Sequence, residues 1–131
     1  MATAHGTFEV VSWDEETYER MQGKAKLTRA QVTQRFTGDI SGQGSVQWLM
    51  AYARDGTAHF VGLQRVKGAI GDRKGTFVVE TIGDFDGTVA TWKARVIEGL
   101  ATGDLVGLKG GGSFGAPHGS TASYELEYEL G

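Results

Sequence analysis

Two alternating, apolar runs joined by Asp55-Gly56-Thr57 place the strongest constraint on this chain. From Ser45 to Ile70 it reads SVQWLMAYAR, the Asp-Gly-Thr turn, then AHFVGLQRVKGAI. β-Branched and aromatic residues on both arms, with glycine at the centre of the connection, predict a β-hairpin. Successive side chains on a strand point to opposite faces. Val46, Trp48, Met50 and Tyr52 therefore share one face of the first arm, and Phe60, Gly62, Gln64 and Val66 share the matching parity of the second. The opposite face carries Leu49, Ala51 and Ala53, then Val61 and Leu63. A half-exposed hairpin is polar on one side, whereas this one is largely apolar on both near its middle. Two arrangements meet that pattern: a strand pair covered on both sides within one fold, or a barrel wall with a lined interior and an outer face covered by a helix or a second subunit.

Period-two alternation extends along the chain. Gly6 to Trp13 suits a strand with Phe8 and Val10 on one face. Asp14 to Gly23 is polar and acidic, and reads as a loop or a short helical turn, the most mobile part of the chain. Leu27 to Ile40 follows, with Ala30, Val32, Phe36, Gly38 and Ile40 in one parity, interrupted by Gln34. The other parity is polar and turned to water. After the turns SGQG and GAIGDRKG come TFVVETIGDF, with Phe77, Val79, Thr81 and Phe85 in register, and TVATWKARVI, with Ala90, Trp92, Ala94 and Val96 in register. Glu98 to Leu108 lacks alternation and predicts a 3₁₀-like turn with Leu100 and Leu105 tucked inward. KGGGSFGAPHGST is a Gly-rich strand or loop around Phe114. The last run alternates strictly, Tyr124, Leu126, Tyr128 and Leu130 against Glu125, Glu127 and Glu129.

About eight strands joined by short turns predict an all-β fold, a sandwich or an up-and-down barrel. Sequential hairpins favour an eight-stranded antiparallel barrel spanning residues 1–131 as one domain, closed by pairing GTFEVV with YELEYEL, which removes two edges. The 131-residue length is enough for a core without staples. The composition of 21 glycines with one proline places the glycines at turns, bulges and bends rather than in a linker. No cysteine is present, which excludes disulfides and thiolate chemistry and fits a cytoplasmic protein. The N-terminus lacks the pattern of a signal peptide, and no run is long and apolar enough to span a membrane as a helix. The 13 basic and 16 acidic residues give a net charge of −3 with no basic block, which argues against nucleic acid as a partner.

Several segments carry a family resemblance: GTFEVVSWDE, KLTRAQVTQRFTGDISGQG, LMAYARDGTAHFVGLQRVKGAIGDRKGTFVVE, GDFDGTVATW, the stretch Ala101 to Gly112, and YELEYEL. Together they resemble a small bacterial family known as domain of unknown function three-two-two-four, over nearly the whole chain. AYARDGTAHFVGLQRVKG is the most specific phrase, and Gln64 within it stands where the resemblance implies Glu in many relatives. The family resembles allene oxide cyclase in fold, a squat eight-stranded antiparallel barrel that is often oligomeric. Barrels of that type include cyclases acting on fatty-acid epoxides and polyketides, so the resemblance implies a ligand cavity. It does not establish a reaction.

The familiar catalytic constellations are missing. His5, His59 and His118 lie far apart, and no metal site is expected. Lys109-Gly110-Gly111-Gly112 lacks phosphate-loop spacing, and Asp84-Phe85-Asp86-Gly87 reads as a hairpin turn. A polar-aromatic set remains on the inner faces. Trp48, Met50, Phe60, Phe77, Val79, Thr81, Trp92, Tyr124 and Tyr128 are candidate ligand-binding residues, an apolar lining with a few polar groups. Tyr52, Gln64 and Glu80 are the candidate catalytic residues. Gln64, a buried amide, must bond Tyr52 or backbone, or else a ligand. Glu80 suits acid–base work only if buried, and its parity opposes Phe77 and Val79. Three functions follow: a cofactor-free cyclase or isomerase using Tyr52 and Gln64 on an apolar substrate, a non-catalytic carrier or sensor of a small apolar molecule, or a filled barrel acting through its surface. Outward Leu49, Val61, Leu63 and Val78 predict a homo-oligomer.

Overall fold

The alternation is realised as nine strands: β1 (Ala2–Arg20), β2 (Lys26–Gly38), β3 (Ile40–Tyr52), β4 (Ala58–Ile70), β5 (Arg73–Phe85), β6 (Val89–Val96), the short β7 (Thr102–Gly103), β8 (Leu108–Pro117) and β9 (Ala122–Leu130). The computed structural model describes residues 2–117 and 122–130, so His118 lies outside the described residues. No helix occurs among the described residues. Every pairing is antiparallel, and the barrel strands pair with their neighbours in sequence except that β6 passes over β7 to reach β8 and the last strand closes on the first. β9 returns to β1 with Ala2 opposite Tyr128 and Phe8 opposite Ala122. The result is a closed eight-stranded antiparallel barrel, with β7 appended to the start of β5. Closure pairs both ends of the meander, which is what removes its open edges.

The inward faces are those set by the uninterrupted alternation. Val46, Trp48 and Met50 on β3, Phe60, Gln64 and Val66 on β4, Phe77, Val79 and Thr81 on β5, and Tyr124 and Leu126 on β9 are all buried. The middle of the barrel is filled by rings in contact rather than facing one another across a hollow. Trp92 stacks on Phe114 with centroids 5.5 Å apart and meets Phe8, Trp48 and Phe60 edge-on at 5.2–5.9 Å. Such pairs each add about 0.5–1.5 kcal/mol beyond the area they bury. Two glycines make room for them. A Cβ on Gly62 would stand 2.5 Å from the Trp48 ring, and one on Gly83 would stand 2.4 Å from Trp92 Cβ and 2.7 Å from Phe60.

Four segments differ from the sequence reading. SGQG is not a turn: Ser41 to Gly44 belong to β3, paired with β4 throughout and, from Gly42, with β2 as well, and only Asp39 separates β3 from β2. Asp14 to Arg20 is neither loop nor helical turn: it continues β1 and pairs with β2 as far as Arg20 opposite Lys26. A polar stretch sustains a strand here because the long β2 supplies its hydrogen bonds. Among the described residues, β1 beyond Phe8 pairs with β2 alone, while β2 itself stays paired with β3 as far as Lys26 opposite Tyr52, so only β1 has a bare flank here. The glycine-rich GAIGDRKG is mostly strand, and only Gly71 and Asp72 separate β4 from β5. In the segment 97–107, Leu105 is fully buried, as expected, but Leu100 is 52% exposed. Thr102 and Gly103 pair with Thr76 and Gly75, which fixes the loop so that Leu105 drops into the barrel end and Leu100, before the anchor, faces out.

Candidate functional site

The two barrel ends differ. At the end where β3 and β8 begin, Ile40, Ile70, Leu105, Leu108 and Leu126 are all buried, and the loop carrying Leu105 closes the opening. Tyr124 ties this end together: its hydroxyl accepts from the Ile40 amide at 2.8 Å and donates to the Thr37 carbonyl at 2.8 Å.

The other end, where β3 and β5 finish and β6 begins, holds a pocket of about 260 Å³. Phe8, Trp48, Phe60 and Trp92 form its floor, and Met50, Tyr52, Phe85, Ala90 and Ala116 its upper wall, with Val10 and Trp13 from β1 and Gln34 from β2 completing it. Among the described residues, no charged side chain lines it. All three tryptophans of the chain touch this one pocket. Trp48 is held from behind, its Nε1 donating to Thr81 Oγ1 at 2.9 Å across the position that Gly62 leaves free.

β1 reaches the pocket because of a bulge. An extra residue between Val10 and Ser12 shifts the register against β2, and one added residue exchanges the two faces of a strand. Phe8 points inward before the bulge; after it, Trp13 and Glu15 turn to the mouth. Trp13 lies against Trp48 with centroids 5.8 Å apart. Glu15 gathers the rim: its carboxylate accepts from Thr28 Oγ1 at 2.6 Å, Tyr52 Oη at 2.8 Å and Trp13 Nε1 at 2.9 Å. Partial burial opposes its charge, but those three donors and the nearby Lys26 ammonium outweigh it and hold its carboxyl below the ordinary range. Burial raises the Tyr52 phenol, and its bond to the Glu15 carboxylate and that group's charge raise it further. Tyr52 therefore stays protonated and spends its one O–H on Glu15, which leaves its lone pairs as acceptors at the rim.

Beneath the rim, Gln64 Nε2 donates to Gln34 Oε1 in a fully buried contact. Gly44, opposite Gln34, leaves the space between them, since a Cβ there would sit 3.0 Å from Gln64 Nε2. The partner of Gln64 is thus Gln34, not Tyr52 or backbone. Gln34 Nε2, Gln64 Oε1 and Trp92 Nε1 have no partner among the described residues.

The family described as "Protein of unknown function (DUF3224)" matches residues 4–128. The chain belongs to the DUF3224 family. A crystal structure of a DUF3224 protein of unknown function from Shewanella oneidensis is similar over the whole chain and 98% of its own, with a TM-score of 0.85 at 23% identity. No curated protein matches this chain. The DUF3224 resemblance read from the sequence is therefore met, and the relative shares the fold.

Of the residues singled out in sequence, this DUF3224 chain brings Trp48, Met50, Tyr52, Phe60 and Trp92 together at the pocket. Thr81 and Gln64 stand one layer behind it, through Trp48 and Gln34. Phe77, Val79, Tyr124 and Tyr128 are not among its lining residues. Phe77, Val79 and Tyr124 are buried, and Tyr128 is half-buried against the same core. Glu80 faces outward and pairs with Arg95 at 3.3 Å, so it does not meet Tyr52 or Gln64. Phe8, Trp13, Glu15, Thr28 and Gln34 belong to the pocket or its rim and were not singled out. The interruption at Gln34 in an otherwise apolar row was the one sequence signal for any of them.

Proposed function

We propose that the barrel binds a small, mostly apolar molecule in the pocket at its open end. The observation that carries this reading is an uncharged, largely aromatic pocket beside a polar rim, in a barrel whose other end is plugged. Ligand pockets combine an apolar lining with a few placed polar groups, and run to about 300–1,000 Å³. A volume of about 260 Å³ fits a compact ring system better than a long acyl chain. Because every tryptophan lines the pocket, intrinsic fluorescence reports occupancy directly. Titration with monocyclic and bicyclic terpenoids and simple arenes is expected to give saturable changes in emission. A flat response across compounds of that size would end the reading.

A second reading, a cofactor-free cyclase or isomerase, is favoured by the Tyr52–Glu15 pair at the mouth. A phenol and a carboxylate at the edge of a water-poor pocket can orient a substrate oxygen or hydrogen. Prolonged incubation of a bound ligand, followed by mass and chiral analysis, separates the two: recovery of unchanged ligand supports the carrier or sensor. Self-association belongs to the same proposal, through the exposed outer row Leu49, Val61, Leu63 and Ile82. Light scattering at the mass of one chain at high concentration would remove it.

A further inference from the structure

We propose that the free flank of β1 from Trp13 to Thr17 takes up an extended peptide as an added antiparallel strand, one that alternates basic and apolar residues. The contact is independent of what fills the pocket. β9 pairs with β1 only as far as Phe8, where Ala122 stands opposite, while β2 holds the other flank of β1 from Gly6 to Arg20. Trp13 lies five residues past Phe8, beyond the reach of residues 118–121, the four that join β8 to β9. Every second residue of a strand turns its N–H and C=O toward a given flank, and on an edge those groups are a template for a further strand.

The stretch is shaped to accept one. Its irregularities against β2 fall at Val10/Ser12 and Thr17/Glu19, so Ser12 to Thr17 between them is regular strand. Past Ala122 no described strand stands between β1 and β8. The pocket lies at that break, lined by Val10 and Trp13 from β1 and by Ala90 and Ala116 from β6 and β8. A strand laid along β1 would continue the line of β9 across it.

Side-chain chemistry names the occupant. Asp14 and Glu16 stand outward, opposite Gln31 and Arg29 of β2. Asp14 has no ion pair among the described residues, and the Glu16 side chain, 74% exposed, has only Arg29 at 3.7 Å. Trp13, on the opposite face, is 47% exposed. Glu15 on that face already accepts three hydrogen bonds. On an added strand, side chains opposite Asp14 and Glu16 share their face, and those between share the face of Trp13. Lys or Arg suits the first set, and an apolar residue that covers the indole suits the second. A second copy of this chain does not fit. Pairing the stretch with itself about Glu15 sets Asp14 against Glu16 and Glu15 against Glu15, and like charges directly opposite destabilise a strand pair.

The probe is acetyl-Lys-Val-Lys-Val-Lys-Val-Lys-amide, added to the whole chain at low ionic strength. Calorimetry gives its affinity, and the backbone amide resonances of the isotope-labelled protein give its place. Two control peptides carry Glu for every Lys, or a methyl group on every backbone nitrogen, which keeps the side chains and removes each N–H. Saturable binding of the lysine peptide is expected, with amide protons of Trp13–Thr17 moving downfield and those of β3 and β4 unmoved. The glutamate peptide should bind more than about tenfold more weakly, and the methylated one should not bind. In the double variant Asp14→Lys, Glu16→Lys, both exposed positions, the order of the lysine and glutamate peptides should reverse. No binding of the lysine peptide, equal binding of the glutamate or methylated peptide, or resonance shifts confined to other strands would each overturn the proposal. All of these leave the pocket reading standing, since the small-molecule titration tests it separately.

Discussion

The two ends of this barrel are built from the same strands and do opposite things. At the Leu105 end, aliphatic side chains and one tyrosine hydroxyl close the structure, and each buried backbone group named there has a partner. At the Trp13 end, a pocket remains, a carboxylate stands at its edge, and buried nitrogens of Gln34 and Trp92, two of its lining residues, lack partners among the described residues. The difference comes from the connections rather than the wall. A loop anchored through Thr102 folds over one opening, while at the other β1 runs on along β2 to Arg20. One end serves stability, and the other leaves polar groups unmet, a cost that is common where a protein binds something.

This division can be attacked from both sides. Leu105→Ala is expected to cost about 2–5 kcal/mol in denaturant unfolding, because a fully buried side chain leaves a void. Ligand affinity at the far pocket should stay the same, and a parallel loss of binding would show that the ends are coupled. Tyr124→Phe removes the acceptor for the Ile40 amide and should cost about 1–3 kcal/mol, again without touching affinity.

Ala90→Leu inverts that result. It fills the pocket from its wall, so affinity should drop by more than about tenfold, which is about 1.4 kcal/mol. Stability should hold or rise, since the added methyl groups enter existing space. Undiminished binding would place the ligand elsewhere.

The smallest effect is expected at Glu15. Its carboxyl is held below the ordinary carboxylate range, so its contribution is present above that range and is lost as pH falls through the lowered value. Glu15→Gln should cost about 1 kcal/mol at neutral pH, solvent screening included, and the gap from the parent should close in acid. A gap that is independent of pH would mean that the charge is not what holds the rim.

Much of this was legible in the sequence. Strict alternation at Val46–Tyr52, Phe60–Val66 and Tyr124–Leu130 identified the inward faces, and the apolar pattern of the first and last runs identified the closing pair. The mouth was not legible. One extra residue at Val11 exchanges the faces of β1, and nothing in VVSWDEE marks it, so Trp13 read as the end of a strand and Glu15 as part of a mobile loop. Gln64 was recognised as an anomaly, but its partner Gln34 lies on a strand two places away. Their contact depends on the space at Gly44, which spacing along the chain does not encode. Glu80 read correctly by parity as outward, and Arg95, directly opposite on β6, gives it an ion pair instead of a place in the site.

The second half of β1 carries a consequence for how the molecule comes apart. From Glu9 onward β1 is hydrogen-bonded on one flank only among the described residues, so amides on its bare side should exchange for deuterium sooner than those of β3 or β4. The entrance would then loosen first on warming, while the aromatic centre still holds.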